Sequence, residues 1–345
     1  MHRLLITHRG RLLISSVSVL GLLLPSSPAL AHVKWFCSYD VAAAPRPLQV
    51  VVNADYGHLV LLTLVILLVA GLLDRTPVGL AMLGSLDRVT GSLRDRTDVL
   101  IRAVLGGFFV ALWAMGGIIL TPELKASAEW VSWLQLAIAI GMIWRETLIL
   151  SALGIVALYG YAVDQYCIFH LLDYPIFLGL AGYLAMSGVR NPLFNLRALD
   201  VLRYTTAVTL MWASVEKWAY PEWTFPLLAV HPEMTLGFNP EFYMRAAGLV
   251  EFALAFTLAC GPLMRRVSSV ILIAMFVGAI FDFGKIDAVG HSPIIIALLA
   301  ILADDQVAAE KPSVILAPAY FCASLGVTIL AYYGIHGMFH LAANG

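Results

Sequence analysis

The chain has 345 residues, of which 61% are hydrophobic and 12% charged, with a formal net charge of −1. Soluble domains carry roughly 25% charged residues, so a mean hydropathy of +0.87 excludes an ordinary soluble globule. The near-neutral balance also excludes a general nucleic-acid binder, which needs a basic field to hold phosphates. These bounds leave an all-α, polytopic helix bundle whose first partner is the lipid bilayer.

In chain order, "MHRLLITHRGR" is a basic opening, "LLISSVSVLGLLL" an apolar run, and "PSSPALA" ends in the small-x-small signal Ala29-Leu30-Ala31. Residues 1–31 therefore read as a secretory signal peptide, with an uncleaved first membrane helix as the alternative. Cleavage after Ala31 makes His32 the new N-terminus, where one residue offers both amine and imidazole to a metal. Residues 32–97 then form an external segment, a first span and a basic loop.

Hydrophobic runs predict about ten spans, near 57–74, 100–120, 129–145, 147–163, 173–188, 201–218, 246–262, 267–282, 292–304 and 314–334. Arg75, Arg88, Arg94, Arg96, Arg145, Arg190, Arg197, Arg265 and Arg266 all fall in loops on one side. Basic loops resist translocation, so that side is assigned to the cytoplasm of a bacterial-type inner membrane. Both mature termini are then expected outside, in agreement with a cleaved leader.

On this topology His32, His58, His170, His231, His291, His336 and His340 fall on or near the external face. Asp164, Asp173, Asp282, Asp287, Glu216, Lys217 and the deeper Glu251 join them. Ionisable groups beside spans are costly and mark a pair, a pathway or a site.

An internal repeat adds architecture. "YAVDQYCIFHLLDYPIFL" (161–178) matches "FDFGKIDAVGHSPIII" (281–296) at an offset of 118, with Asp164 on Asp282, Pro175 on Pro293, Gly160 on Gly278 and Asp173 on His291. "DVLIRAVLGGFFVALW" (98–113) likewise matches "DVLRYTTAVTLMW" (200–212). Two tandem four-helix units follow, 98–190 and 200–305, with the tail 306–345 carrying a final span. Duplicated membrane bundles commonly bind ligands between the repeats.

The second unit resembles a known family. "VLRYTTAVTLMWASVEKWAYPEWTF" followed by "AAGLVEFALAFTLACGPLMRRVSSVILIAMFVGAIFDFG" is similar to the DoxX/DoxD family of small four-helix membrane proteins. The resemblance rests on Arg203 early and Lys217 late in one helix, Glu251 in the next, and the Gly261 to Arg265 turn. It implies association with redox complexes, in some members as subunits similar to those of thiosulfate:quinone oxidoreductases. The chain departs from that pattern in its duplication, its leader and its flanking helices.

Candidate chemistry follows from residue type. Glu251 lies inside an apolar helix and needs a partner, with Lys217, Arg245 or a cation available. Asp282 closes a helix beside the repeat seam, and Lys217 stands at the interface. Glu216 beside Lys217 reads as an ion pair at headgroup level. His336 and His340, four apart, share a helix face suited to a metal or to a solvated helix end. With His32, His58, His170, Asp173 and His291 they form the expected ligand pool, suiting Cu, Zn or Fe better than Mg. Cys37 and Cys167 lie on the oxidising side, where they can pair. There is no Cys-x-x-Cys and no phosphate loop, which argues against thioredoxin-like and nucleotide chemistry.

Three functions fit. One is an outward-facing oxidoreductase-like subunit or enzyme working with a metal or a quinone and a periplasmic or membrane redox partner. A metal-ion permease and a non-catalytic assembly subunit are the alternatives. The topology is directly testable: a reporter fused after Gly345 is expected to be active outside the membrane, and one fused at Ser85 inside. A cytoplasmic C-terminus would dissolve the one-sided histidine face.

Overall fold

The computed structural model describes residues 33–189, 197–305 and 316–344. Among these residues the regular structure is helical, and six of the described helices are long and apolar enough to cross a membrane. The main helices are α1 (Ala54–Leu73), α2 (Pro77–Arg94), α3 (Thr97–Met115), α4 (Glu129–Gly141), α5 (Leu148–Leu171), α6 (Pro175–Gly188), α7 (Ala198–Ala219), α8 (Pro240–Thr257), α9 (Pro262–Phe283), α10 (Lys285–Ala303) and α11 (Leu316–Asn344). Every expected span falls on one of them. Helix starts follow local chemistry: Asn53 caps α1 by accepting from the Tyr56 N–H, and Pro opens α2, α6, α8 and α9, where its missing donor costs nothing.

Consecutive helices from α3 to α10 pack side by side. Contacts of α6 with α7 and of α10 with α3 join the two halves. The core of the first half centres on Leu105, Phe109, Ile155, Leu158 and Leu180. Outside the second half, α1 and α11 pack against α7 and α8 around Trp212, Phe252, Phe321 and Tyr332. Large apolar side chains along α1, among them Leu61, Val65, Ile66 and Val69, remain exposed. A surface of that kind suits lipid tails rather than water.

Two expectations are corrected. The span expected at 100–120 stops at Met115, because Gly116 and Gly117 adopt φ of 65° and 64°, a left-handed backbone that ends helices. The stretch 75–97, expected as a basic loop, holds α2. Its apolar residues recur at helical spacing among charged ones, so no ~20-residue apolar run marks it.

Short helices shape the bundle's end. The 13 residues of α4 and 14 of α6 rise about 20 Å, against roughly 30 Å of bilayer core. Close to a bilayer, the non-helical chain beside them needs its polar groups satisfied within the protein. The loop 116–128 meets that condition: Gln135 Nε2 donates to the Ile118 and Ile119 carbonyls at 2.6 and 2.9 Å. Tyr166 brackets Lys125, accepting from its N–H at 2.6 Å and donating to its carbonyl at 3.0 Å.

At the opposite end, buried Arg266 ties α9 to its neighbours. It donates to Asp87 (2.6 Å) and Thr90 (2.6 Å) of α2 and to the Leu302 carbonyl (2.8 Å). Arg197 reaches Asp304 at 2.7 Å and Arg94 reaches Asp305 at 2.7 Å. Replacing Arg266 with Met is expected to lower unfolding stability in detergent by on the order of 2 kcal/mol and to speed tryptic cleavage within α2. Unchanged cleavage would mean that apolar contacts alone hold that helix.

Candidate functional site

The polar groups gather at the end where α5, α7 and the N-terminal segment meet. In α5 the backbone breaks at Cys167, with φ 67° and ψ 159°. The turn after the break carries Phe169 and His170 into the interior. Asp173 follows in the short junction before Pro175 and is 1% exposed. Glu216 projects from the last turns of α7 toward the same place.

Between these carboxylates sits Lys34. Its side chain is 1% exposed, and its Nζ pairs with Asp173 and, at 2.5 Å, with Glu216. Burial by itself would lower the Lys34 pKa, but the charges of Asp173 and Glu216 outweigh it and hold the ammonium above its ordinary value. Two aromatic rings, Tyr39 and Trp223, each lie 5.6 Å from Nζ, within cation–π range.

A third carboxylate stands beside this trio. Glu123, in the loop between α3 and α4, accepts a hydrogen bond from the Tyr174 hydroxyl. The residue is half-buried, and its Oε2 is sealed from solvent. Burial pushes its carboxyl up to about 7; its own backbone N–H, Lys34 and hydrogen bonds from Thr121 and Trp35 oppose the rise. Burial and the Glu123 charge together push the nearby Tyr39 hydroxyl up to about 12.

The predicted site residues separate into groups. His170, 4% exposed, meets Tyr39 and Tyr166 edge-on at 5.7 and 5.6 Å, and its Nε2 has no hydrogen-bond partner. His291 is buried in α10, with Nδ1 3.0 Å from Asp287 and its ring between Trp35 (4.6 Å) and Phe276 (4.8 Å). His336 packs edge-on against Phe169 at 5.2 Å. His58 is exposed at the start of α1, Asp282 is exposed at the end of α9, and Asp164 is exposed within α5, ahead of its break. Among the described residues no three His, Cys, Asp or Glu side chains are grouped to hold a metal ion. Two members of the expected pool, His32 and the side chain of His340, lie outside the described residues. Cys37 and Cys167 are both free.

One expectation is overturned. Glu216 does not pair with Lys217, because adjacent helix residues point about 100° apart. Glu216 turns to Lys34, while Lys217 turns to Glu251 at 2.6 Å, the partner that carboxylate was expected to need. Lys34 itself escaped the sequence reading. A lone Lys in "HVKWFCSYD" carries no periodicity, and its partners lie 139 and 182 positions away in the chain. Comparison with protein-family models, curated proteins and solved structures finds no match to this chain.

Removing one member of a buried ion group strands the others. Lys34→Met is therefore expected to cost about 3–5 kcal/mol in unfolding experiments. Adding Asp173→Asn and Glu216→Gln is expected to restore most of that loss. A Lys34→Met protein as stable as the parent would show that the ammonium does not hold the carboxylates.

Proposed function

We propose that the chain is an inner-membrane redox subunit, linked to a quinone or a metal, whose outward end exchanges protons with the aqueous phase. The observation that carries the reading is the Glu123 carboxyl, bonded by the Tyr174 hydroxyl and with Oε2 sealed from solvent beside the Lys34–Asp173–Glu216 cluster, where burial pushes it up. A carboxyl poised there changes protonation at working pH, which proton-coupled redox chemistry requires. The resemblance of the second half to DoxX/DoxD proteins points the same way. The tandem four-helix reading gains support from the matched junctions, α6 on α7 and α10 on α3, as a two-fold relation between repeats would place them.

A quinone has a fitting lodging. An apolar groove of about 310 Å³ runs between α1, α8 and α9, lined by Leu67, Val250, Leu254 and Met264 among others. Glu251, next in the chain to Val250, does not line the groove and is neutralised by Lys217 at 2.6 Å. When bound there, a quinone would supply two-electron chemistry. The residues around it would hold its tail in the groove and keep water out. The metal form of the reading depends on His32 joining the other histidines. A cation permease is less well supported, because Arg265 and Arg266 are buried at the opposite end and oppose passage of positive charge.

The experiment is an infrared titration of protein purified from its native membrane, combined with quinone extraction and metal analysis. A carboxyl band titrating near pH 7 is expected, and it should vanish in Glu123→Gln. Linkage gives the same residue a second signature. Its folded pKa exceeds the ordinary carboxyl value near 4.5, so the folded state holds more protons between those values and stability falls as pH rises through that window. Glu123→Gln should flatten the fall. A titration with no band near neutrality would remove the proton-exchange role, and protein free of quinone, metal and chromophore would remove the redox role.

A further inference from the structure

Residues 33–46 do not belong to the bundle. Only Val33–Trp35 forms a helical turn, a short 3-10 one, and the rest follows bends and irregular chain as far as Pro47. This segment nevertheless reaches a deeply buried polar place. Lys34 enters between Asp173 and Glu216. Trp35 lies over α10, so close to Gly290 that a Cβ there would come within 2.1 Å of its ring. Asp173 and His291, matched in the internal repeat, are thus touched by two consecutive residues.

The surroundings of the Lys34 ammonium are those of a cation site. Two carboxylates contact it, Tyr39 and Trp223 face it, and Trp223 is stacked on Tyr220 at 4.2 Å. The surroundings also hold polar atoms that Lys34 leaves unsatisfied. Asp173 Oδ1 and the Nε2 of His170 have no hydrogen-bond partner, although both residues are more than nine-tenths buried. Buried acceptors left open are costly, and Glu123 adds a third carboxyl alongside. The chamber thus offers a cation more than one ammonium can use.

The segment's outer attachment centres on one residue, Arg46. Arg46 pairs with Glu222 and, at 2.7 Å, with Glu241, but these side chains are 21%, 53% and 36% exposed, so water and salt weaken the pairs. Further hydrogen bonds of this strap run from the Arg46 N–H to the Ala219 carbonyl (2.9 Å), from the Tyr220 hydroxyl to the Ala43 carbonyl (2.8 Å), from the Tyr333 hydroxyl to the Arg46 carbonyl (2.8 Å) and from a second Arg46 nitrogen to Glu241 (2.8 Å).

We propose that residues 33–46 form a displaceable plug, and that the chamber beneath is a binding site for a small primary ammonium or guanidinium ligand whose place Lys34 holds. This goes beyond the redox reading and does not depend on it. Ligand and Lys34 compete for the same carboxylates. Loosening the strap therefore raises apparent affinity by enlarging the fraction of open chambers.

Cys37 reports the displacement. It is a free thiol on the segment, partly buried beside the Leu227, Leu228 and Met244 cluster. Full-length protein in detergent is titrated with ethylammonium chloride, with potassium chloride at equal ionic strength as the control, and iodoacetamide labelling of Cys37 is followed by mass spectrometry. Labelling is expected to rise several-fold and to saturate with ethylammonium alone. In Arg46→Ala the midpoint should fall about tenfold. In Lys34→Ala ethylammonium should raise the unfolding temperature with no increase in Cys37 labelling, because nothing is left to compete. The proposal is overturned if potassium chloride gives the same rise, or if labelling stays flat to about 0.1 M ethylammonium in both parent and Arg46→Ala. That result would make Lys34 a fixed structural ion pair, and it does not require the Lys34 variant to fold.

Discussion

A single ammonium shared by two carboxylates organises one end of this protein. Asp173 and Glu216 come from different halves of the bundle and face each other where little water reaches. Like charges at that range repel strongly in a medium of low dielectric. Neither half supplies the cation that relieves them. It comes from Lys34, in an otherwise irregular segment, and the arrangement of everything nearby follows: Trp35 on α10, Tyr39 against His170, and the strap through Arg46.

The same constraint explains the other end in mirror form. There the bundle contributes buried guanidinium groups, Arg265 and Arg266, and the partners are carboxylates and carbonyls from α2 and the end of α10. Between the two ends the helices meet through Leu, Ile, Phe and small residues, as a bilayer requires of a spanning bundle. Charge enters that layer as the Lys217–Glu251 pair, already neutralised. Chemistry is thereby confined to the ends, and only the Lys34 end combines carboxylates, imidazoles and aromatic faces.

Glycine and helix breaks place these groups. Gly290 leaves room for Trp35, Gly284 at φ 76° separates α9 from α10, and the left-handed Cys167 turns the end of α5 inward. A non-glycine residue at positive φ is uncommon and persists only when packing holds it. Here it puts Phe169 against Trp212 and Tyr332 and sets His170 beside Tyr39.

Hydropathy and residue spacing determined the helical class, the membrane character and a helix at each expected span, six of them among the described residues long and apolar enough to cross a membrane, because each helix records its own burial along one continuous stretch. The need of Glu251 for a partner was equally plain, since a carboxylate within apolar sequence declares its own cost. Helix α2 was hidden, because an amphipathic helix alternates the residues that a search for apolar runs averages away. Only the tertiary structure decided the pairings: that Glu216 turns from its neighbour Lys217 to distant Lys34, that His291 is engaged by Asp287 and Trp35, and that Glu123 comes beside them. An ion pair is fixed by distances in space, and nothing in the local sequence of Lys34 encodes which buried carboxylates its chain will reach.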